Sequence, residues 1–185
     1  GVQPGSVVRG NLVHGVRANG YGGWAIYPDE GSSHLVIEDN VAYDTTGHVF
    51  HQHYGNENTV RNNVFAFGGE GVLALSRGPA HNGGRGALAF TLERNILVSD
   101  ARPVIATGLS GEGAEATRRP FLSDLNLFWD VSRAPIALGD GRGAGQGGLR
   151  KAYDLAGWQA LGLDPHSLAA DPRFVDLARR DLRLA

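Results

Sequence analysis

The chain has 185 residues, 42% of them hydrophobic, and its 17 basic and 19 acidic residues leave a net charge of −2. That length holds one domain with a sizeable core, the apolar content excludes a disordered chain, and no apolar run reaches the ~18 residues of a membrane span. The lack of a basic surplus excludes a typical nucleic-acid binder, and the absence of cysteine removes disulfides, thiolate nucleophiles and cysteine-based zinc sites. The 28 glycines follow no collagen period and point to many turns and short strands. With no methionine and a start at Gly1, the chain reads as an internal or C-terminal piece of a longer protein.

The first element is VRGNLV (8–13): an apolar residue, two mostly polar ones, an asparagine and two apolar ones. The pattern returns as IEDNVA (37–42), VRNNVF (60–65), LERNIL (92–97) and, more loosely, SDLNLF (123–128). Its asparagines, Asn11, Asn40, Asn63, Asn95 and Asn126, lie 29, 23, 32 and 31 residues apart. Around each asparagine the pattern alternates with period two, as in Val60, Asn62, Val64 and Ala66 against Arg61, Asn63, Phe65 and Phe67. That is strand periodicity. Further strands are predicted between the copies at 24–29, 49–54, 71–76, 103–107 and 135–138, separated by turns such as GYGG, DEGSS, DTTG and GGEG.

Two or three short strands per repeat, with no helix between them, predict an all-β solenoid of stacked parallel coils over residues 1–138. An asparagine at one point of every coil can form an internal ladder that satisfies backbone groups at a bend, or it can mark ordinary turns. A glycine-rich connector follows at 139–148. A helix predicted over 149–161, with Leu149, Tyr153, Ala156 and Ala160 on one face and Gly162 as its stop, opens a cap over 149–185.

The run YPDEGSSHLVIEDNVAYDTTGHVFHQHYGNENTVRNNVFAFG (27–68) resembles the central coils of right-handed parallel β-helix proteins, the pectate-lyase-like and polygalacturonase-like carbohydrate-active group. The tail resembles their C-terminal closure through SDLNLFWD (123–130) and the residues Trp158, Gly162, Asp164, Ser167, Asp171, Pro172, Phe174, Val175 and Asp176. The resemblance implies a right-handed parallel β-helix with a short helical cap. It also implies a polysaccharide or oligosaccharide partner, without nucleic acid or membrane, and a secreted or periplasmic location. An open solenoid end can also stack on a second copy.

Reactive side chains concentrate in two consecutive coils. The first brings Trp24, Tyr27, Asp29 and Glu30; the second brings His48, His51, His53 and Tyr54. If Ile26 and Phe50 point inward, strand parity turns Tyr27, Asp29, His51 and His53 outward, onto coils ~4.8 Å apart. Asp29, Glu30, His51 and His53 are therefore the candidate catalytic residues. Trp24, Tyr27 and Tyr54 are candidate sugar platforms, joined by Arg77 and by His81 from the excursion 77–87.

Three chemistries fit these residue types. Glycoside hydrolysis needs two carboxyl groups, and Asp29 and Glu30 serve only if Glu30 turns at the strand end; otherwise Asp44, Glu70 or a coil outside this chain must supply the second. A lyase would use His51 as base and Arg77 to neutralise a uronate. The third is a divalent metal held by Asp29, His51 and His53, although the leading expectation includes no cofactor. Against all three stands a non-catalytic carbohydrate-binding or structural segment. His14, His34 and His166 read as isolated surface or turn residues.

Overall fold

Short strands interrupted by single left-handed residues recur along the chain, and each pairs with its counterpart one repeat later. The computed structural model describes residues 1–53, 55–76, 88, 90–107, 121–139 and 152–185. Tyr54, Arg77, His81, residues 140–148 of the predicted connector and residues 149–151 of the predicted helix lie outside them. The first repeat supplies β1 (Val7–Arg9) and β2 (Leu12–His14), and the second supplies β3 (Val36–Glu38), β4 (Val41–Thr45) and β5 (His48–His53). The third gives β6 (Asn58–Arg61), β7 (Val64–Gly68) and β8 (Gly71–Ser76). The fourth gives β9 (Phe90–Glu93), β10 (Ile96–Ser99) and β11 (Ile105–Thr107). Then come β12 (Phe121–Asp124), β13 (Leu127–Asp130) and β14 (Leu168–Ala169).

The protein is mostly β, and these strands form three parallel sheets, β1-β3-β6-β9-β12, β2-β4-β7-β10-β13-β14 and β5-β8-β11. Their inward columns meet in one core. Ile37, Val60 and Leu92 stack from the first sheet, and Ala42, Phe65, Leu97 and Phe128 from the second. Phe50, Leu73 and Ile105 come from the third, extended by single bridges to Ile26 and Leu138. Among the described residues, no helix is long and apolar enough to cross a membrane.

The asparagines form a continuous ladder. Asn11 Nδ2 donates to Asn40 Oδ1 (2.9 Å), Asn40 to Asn63 (3.0 Å), Asn63 to Asn95 (3.0 Å) and Asn95 to Asn126 (3.1 Å). Each acceptor oxygen also takes the backbone N–H of the preceding asparagine. Asn40, Asn63, Asn95 and Asn126 are all buried. The residue before each rung is left-handed: Gly10 (φ 67°), Asp39 (56°), Asn62 (55°), Arg94 (56°) and Leu125 (60°). A left-handed non-glycine residue costs about 1–2 kcal/mol, which the rung's hydrogen bonds offset. This corner breaks the predicted alternation: Asn62 is exposed rather than in line with Val60, and both Asn63 and Phe65 are buried.

Three other expectations change. The predicted strands at 24–29 and 135–138 pair only through isolated bridges at a single residue each, Ile26 to Phe50 and Leu138 to Ile105 and Tyr153. Pro28 and Pro135 lack an N–H to give a ladder. The described helix is only α1 (Leu155–Gln159), because the Asp154 side chain accepts from Gly157 N (2.7 Å) and caps it there. Tyr153 lies before it, bridged to Leu138, and Trp158 is its buried residue. The tail also does more than close the end. The antiparallel pair β15 (Phe174–Asp176) and β16 (Asp181–Leu184) folds back so that Leu182 packs on Ala66 and Val98, on the outer face of the six-stranded sheet. Arg180 lies over the Phe67 ring (3.9 Å) and pairs with Asp44 (3.1 Å).

Candidate functional site

The candidate site lies on the outer side of the three-stranded sheet, where segment 20–32 runs beside β5. Backbone bonds from Ala25 N and Ile26 N to Val49 O, His51 N to Ile26 O and His53 N to Pro28 O hold it there. Gly23, at φ 77°, passes so close to Thr46 that a Cβ would meet its Oγ1 at 2.1 Å. A Cβ at Gly47 would meet the Trp24 ring at 2.8 Å, so the indole rests on bare backbone. Ile26 pairs with Phe50 inside. Tyr27, Asp29, His51 and His53 are consequently on the outer side, as parity requires.

Asp29 is the hub. Its Oδ1 accepts from Tyr27 Oη (2.6 Å) and from Glu30 N (2.8 Å), and His53 Nδ1 lies 2.9 Å away. That pairing requires the His53 tautomer with a proton on Nδ1. Among the described residues, Asp29 Oδ2 accepts no hydrogen bond, and half of the side chain is exposed. The bond from Tyr27 and then that from His53 hold the Asp29 carboxyl below its ordinary range, so it is ionised at neutral pH. Burial and the bond to Asp29 push the Tyr27 hydroxyl upward, so it stays a donor.

Glu30 is where parity fails. It is left-handed (φ 44°), in a turn that Ser32 ties to Asp29 O (N 3.0 Å, Oγ 2.6 Å). The rotation brings Glu30 to the side of its neighbour, and one carboxylate oxygen each of Asp29 and Glu30 and one His53 ring nitrogen lie within 4.8 Å of one another. The two alternative carboxylates are engaged elsewhere: Asp44 with Arg180, and Glu70 with His48 Nδ1 (3.4 Å).

Aromatic rings border these groups. Trp24 packs on Tyr27 (4.3 Å), edge-on to His51 (4.6 Å), and edge-on to Tyr21 (4.9 Å), which is 84% exposed. His51 also meets Tyr27 (5.2 Å) and lies 6.4 Å from His53 and 6.2 Å from His48. Burial, then each next histidine in the row, pushes His48 and His51 down to about 4, so both are neutral at physiological pH. Tyr21 and the His48–Glu70 pair escaped the sequence reading. The spacing Tyr21, Trp24, Tyr27 around two glycines carried the signal for Tyr21.

The structure thus brings together Trp24, Tyr27, Asp29, Glu30, His51 and His53 of the predicted set. The histidines read as isolated differ: His14 stacks on Tyr43 (5.0 Å) and His166 Nδ1 pairs with Asp124 (2.7 Å). The metal set also changes, since the groups close enough to share an ion are Asp29, Glu30 and His53, with Glu30 in the place expected for His51. A separate pocket of about 370 Å³ lies on the five-stranded sheet between Thr91, Glu93, Leu122, Asp124 and Pro165 and contains none of these residues. No protein-family model, curated protein or solved structure matches the chain.

Proposed function

We propose that the chain is a right-handed parallel β-helix that binds a polysaccharide and hydrolyses its glycosidic bonds at the Asp29–Glu30 cluster. The observation that carries this reading is the left-handed Glu30. It sets two carboxylates side by side, within 4.8 Å, next to the half-buried rings of Tyr27 and Trp24 and the exposed ring of Tyr21. An approach no wider than 4.8 Å is too short for the ~6.5–9.5 Å gap of enzymes that invert configuration, which favours a retaining arrangement. Tyr21 and Trp24 offer ring surface to the apolar faces of sugars, and Asp29 and Glu30 offer acceptors to their hydroxyls.

In this mechanism Asp29 Oδ2 attacks the anomeric carbon as the glycosidic C–O bond breaks, and Glu30 gives its proton to the departing oxygen. Glu30 then takes a proton from water, the water oxygen bonds to the anomeric carbon, and Asp29 is released. Tyr27 and His53 hold Asp29 ionised and aimed; His51, neutral and packed between Trp24 and Tyr27, walls the site. No cofactor is needed. A polysaccharide substrate implies work outside the cell or in the periplasm.

The test is release of reducing ends from a panel of neutral and acidic polysaccharides. Glu30→Gln and Asp29→Asn are each expected to lower turnover by at least ~100-fold, and both variants are expected to stay folded by circular dichroism, since asparagine keeps an Oδ1 acceptor for Tyr27 and Glu30 N. A second reading, sugar binding without cleavage, is favoured by the three donors gathered on Asp29 Oδ1. Binding with no reducing ends would select it. Products bearing an unsaturated uronate would select the lyase reading, whose proposed cation Arg77 lies outside the described residues.

A further inference from the structure

The outer face of the five-stranded sheet carries a row of charged side chains in register: Arg9, Glu38, Arg61, Glu93 and Asp124, one from each strand. The first four alternate in sign. Buried Glu38 accepts from Arg9 Nε (2.6 Å) on one side and from Arg61 Nε (2.7 Å) on the other. Asp124 breaks the alternation, so that two carboxylates stand directly opposite on neighbouring strands. Like charges in that position cost stability, and a cation between them would restore the pattern.

The chain meets that need only in part. Arg94 Nη1 lies 2.9 Å from Glu93 Oε1, and Asp124 Oδ1 accepts from the N–H groups of Leu125 and His166, each at 2.8 Å. Among the described residues, Glu93 Oε2 accepts no hydrogen bond, and Asp124 Oδ2 meets only His166 Nδ1 (2.7 Å). Burial opposes ionisation of Asp124, yet the bonds from His166 hold its carboxyl below its ordinary range.

The pocket of about 370 Å³ opens beside these two carboxylates, and its apolar side is formed by Leu122, Leu161 and Pro165. Leu122 is 56% exposed although the cap passes over the same face. The cap wall is fixed through Asp164. Its N–H donates to Ser123 O (2.8 Å), and its carboxylate ends the asparagine ladder, accepting from Asn126 Nδ2 (2.9 Å) and Trp158 Nε1 (2.8 Å). A preformed cleft with apolar walls and a few polar groups at one end is the usual form of a small-molecule site, and this one is near the low end of the ~300–1,000 Å³ range.

We infer that this groove binds a small molecule bearing an alkylguanidinium group, with the guanidinium between Glu93 and Asp124 and the alkyl stem along Leu122, Leu161 and Pro165. The row itself contains the precedent, since Arg61 holds the equivalent place between Glu38 and Glu93. A planar guanidinium presents donors to both carboxylates at once, whereas an ammonium is a point charge. The groove lies on a different sheet from Asp29 and Glu30, so the inference is independent of the catalytic reading.

Titration of the full chain with butylguanidinium, followed by backbone amide NMR shifts, is expected to give saturable changes confined to Thr91, Glu93, Leu122, Asp124 and Leu161. Butanol and butyrate, which lack the cation, should bind at least ~10-fold more weakly. Glu93→Gln should weaken butylguanidinium by at least ~10-fold, and Leu122→Ala, which shortens the apolar wall, by at least ~3-fold. Equal binding of butanol overturns the inference, as do shifts centred on Asp29 and Glu30, shifts spread without saturation over all carboxylates, or unchanged binding in both variants. A blocked arginine peptide that binds at least ~10-fold more tightly than butylguanidinium makes the occupant a partner protein's arginine and overturns the small-molecule assignment.

Discussion

Replacing Asn63 by leucine tests whether the ladder holds the repeats together. Asn63 is 1% exposed, and its Oδ1 accepts from both Asn40 N and Asn40 Nδ2 at 3.0 Å. Its own Nδ2 donates to Ile37 O and Asn95 Oδ1, each at 3.0 Å. Leucine is similar in size, so the main loss is polar. Two Asn40 donors are stranded in the interior at ~1–3 kcal/mol each. Asn95 Oδ1 keeps the Asn63 backbone N–H, and the added apolar burial returns ~1 kcal/mol. The net cost is ~3 kcal/mol, a large share of a typical 5–15 kcal/mol stability, and for this length it corresponds to a fall in Tm of ~6–12 °C. The same substitution at the exposed rung Asn11 strands no buried donor, since Asn11 N still reaches Asn40 Oδ1. Its cost should stay near or below ~1 kcal/mol. Thermal and urea unfolding followed by circular dichroism on Asn63→Leu and Asn11→Leu compare the two directly. Equal shifts would show that the chain does not depend on the buried rungs, and the reasoning fails.

Tyr27→Phe removes the largest contribution holding Asp29 below its ordinary range, so the Asp29 carboxyl should rise and the acid limb of any pH–rate profile should move to higher pH; an unmoved limb would detach Tyr27 from Asp29. His48 and His51 titrate at about 4 in the folded protein against 6.5 for a free imidazole, so the unfolded chain takes up protons first. Stability should therefore be intact above pH 6.5 and fall as the pH drops toward 4, and imidazole resonances still shifting near pH 6.5 at these positions would contradict it. Trp158→Ala should destabilise by ~3–5 kcal/mol through a cavity in the main core and a lost bond to Asp164, with a matching fall in the urea midpoint. A midpoint close to that of the parent protein would remove Trp158 from the closure of the ladder.

The repeat was legible in the sequence because every repeat meets the same physical demand. Each corner needs an amide that donates to one neighbour and accepts from the other, and only an asparagine of that reach serves at Asn11, Asn40, Asn63, Asn95 and Asn126. The inward placement of Ile26 and Phe50, and with it the outward turn of Tyr27, Asp29, His51 and His53, followed from a period of two that acts over a few residues. Three features could be settled only by the tertiary structure. The left-handed backbone of Glu30 depends on Asp29 and the Ser32 turn, and it overrides parity to join the two carboxylates. The contact of Asp29 with His53, 24 residues away, depends on the register between segment 20–32 and β5. The end of the ladder at Asp164 and the return of β15 and β16 across the six-stranded sheet depend on surfaces that exist only once the repeats are stacked. Local periodicity reports which way a side chain points from its own strand. Which side chains meet is set by the stacking of distant segments, and no single stretch of this sequence contains that register.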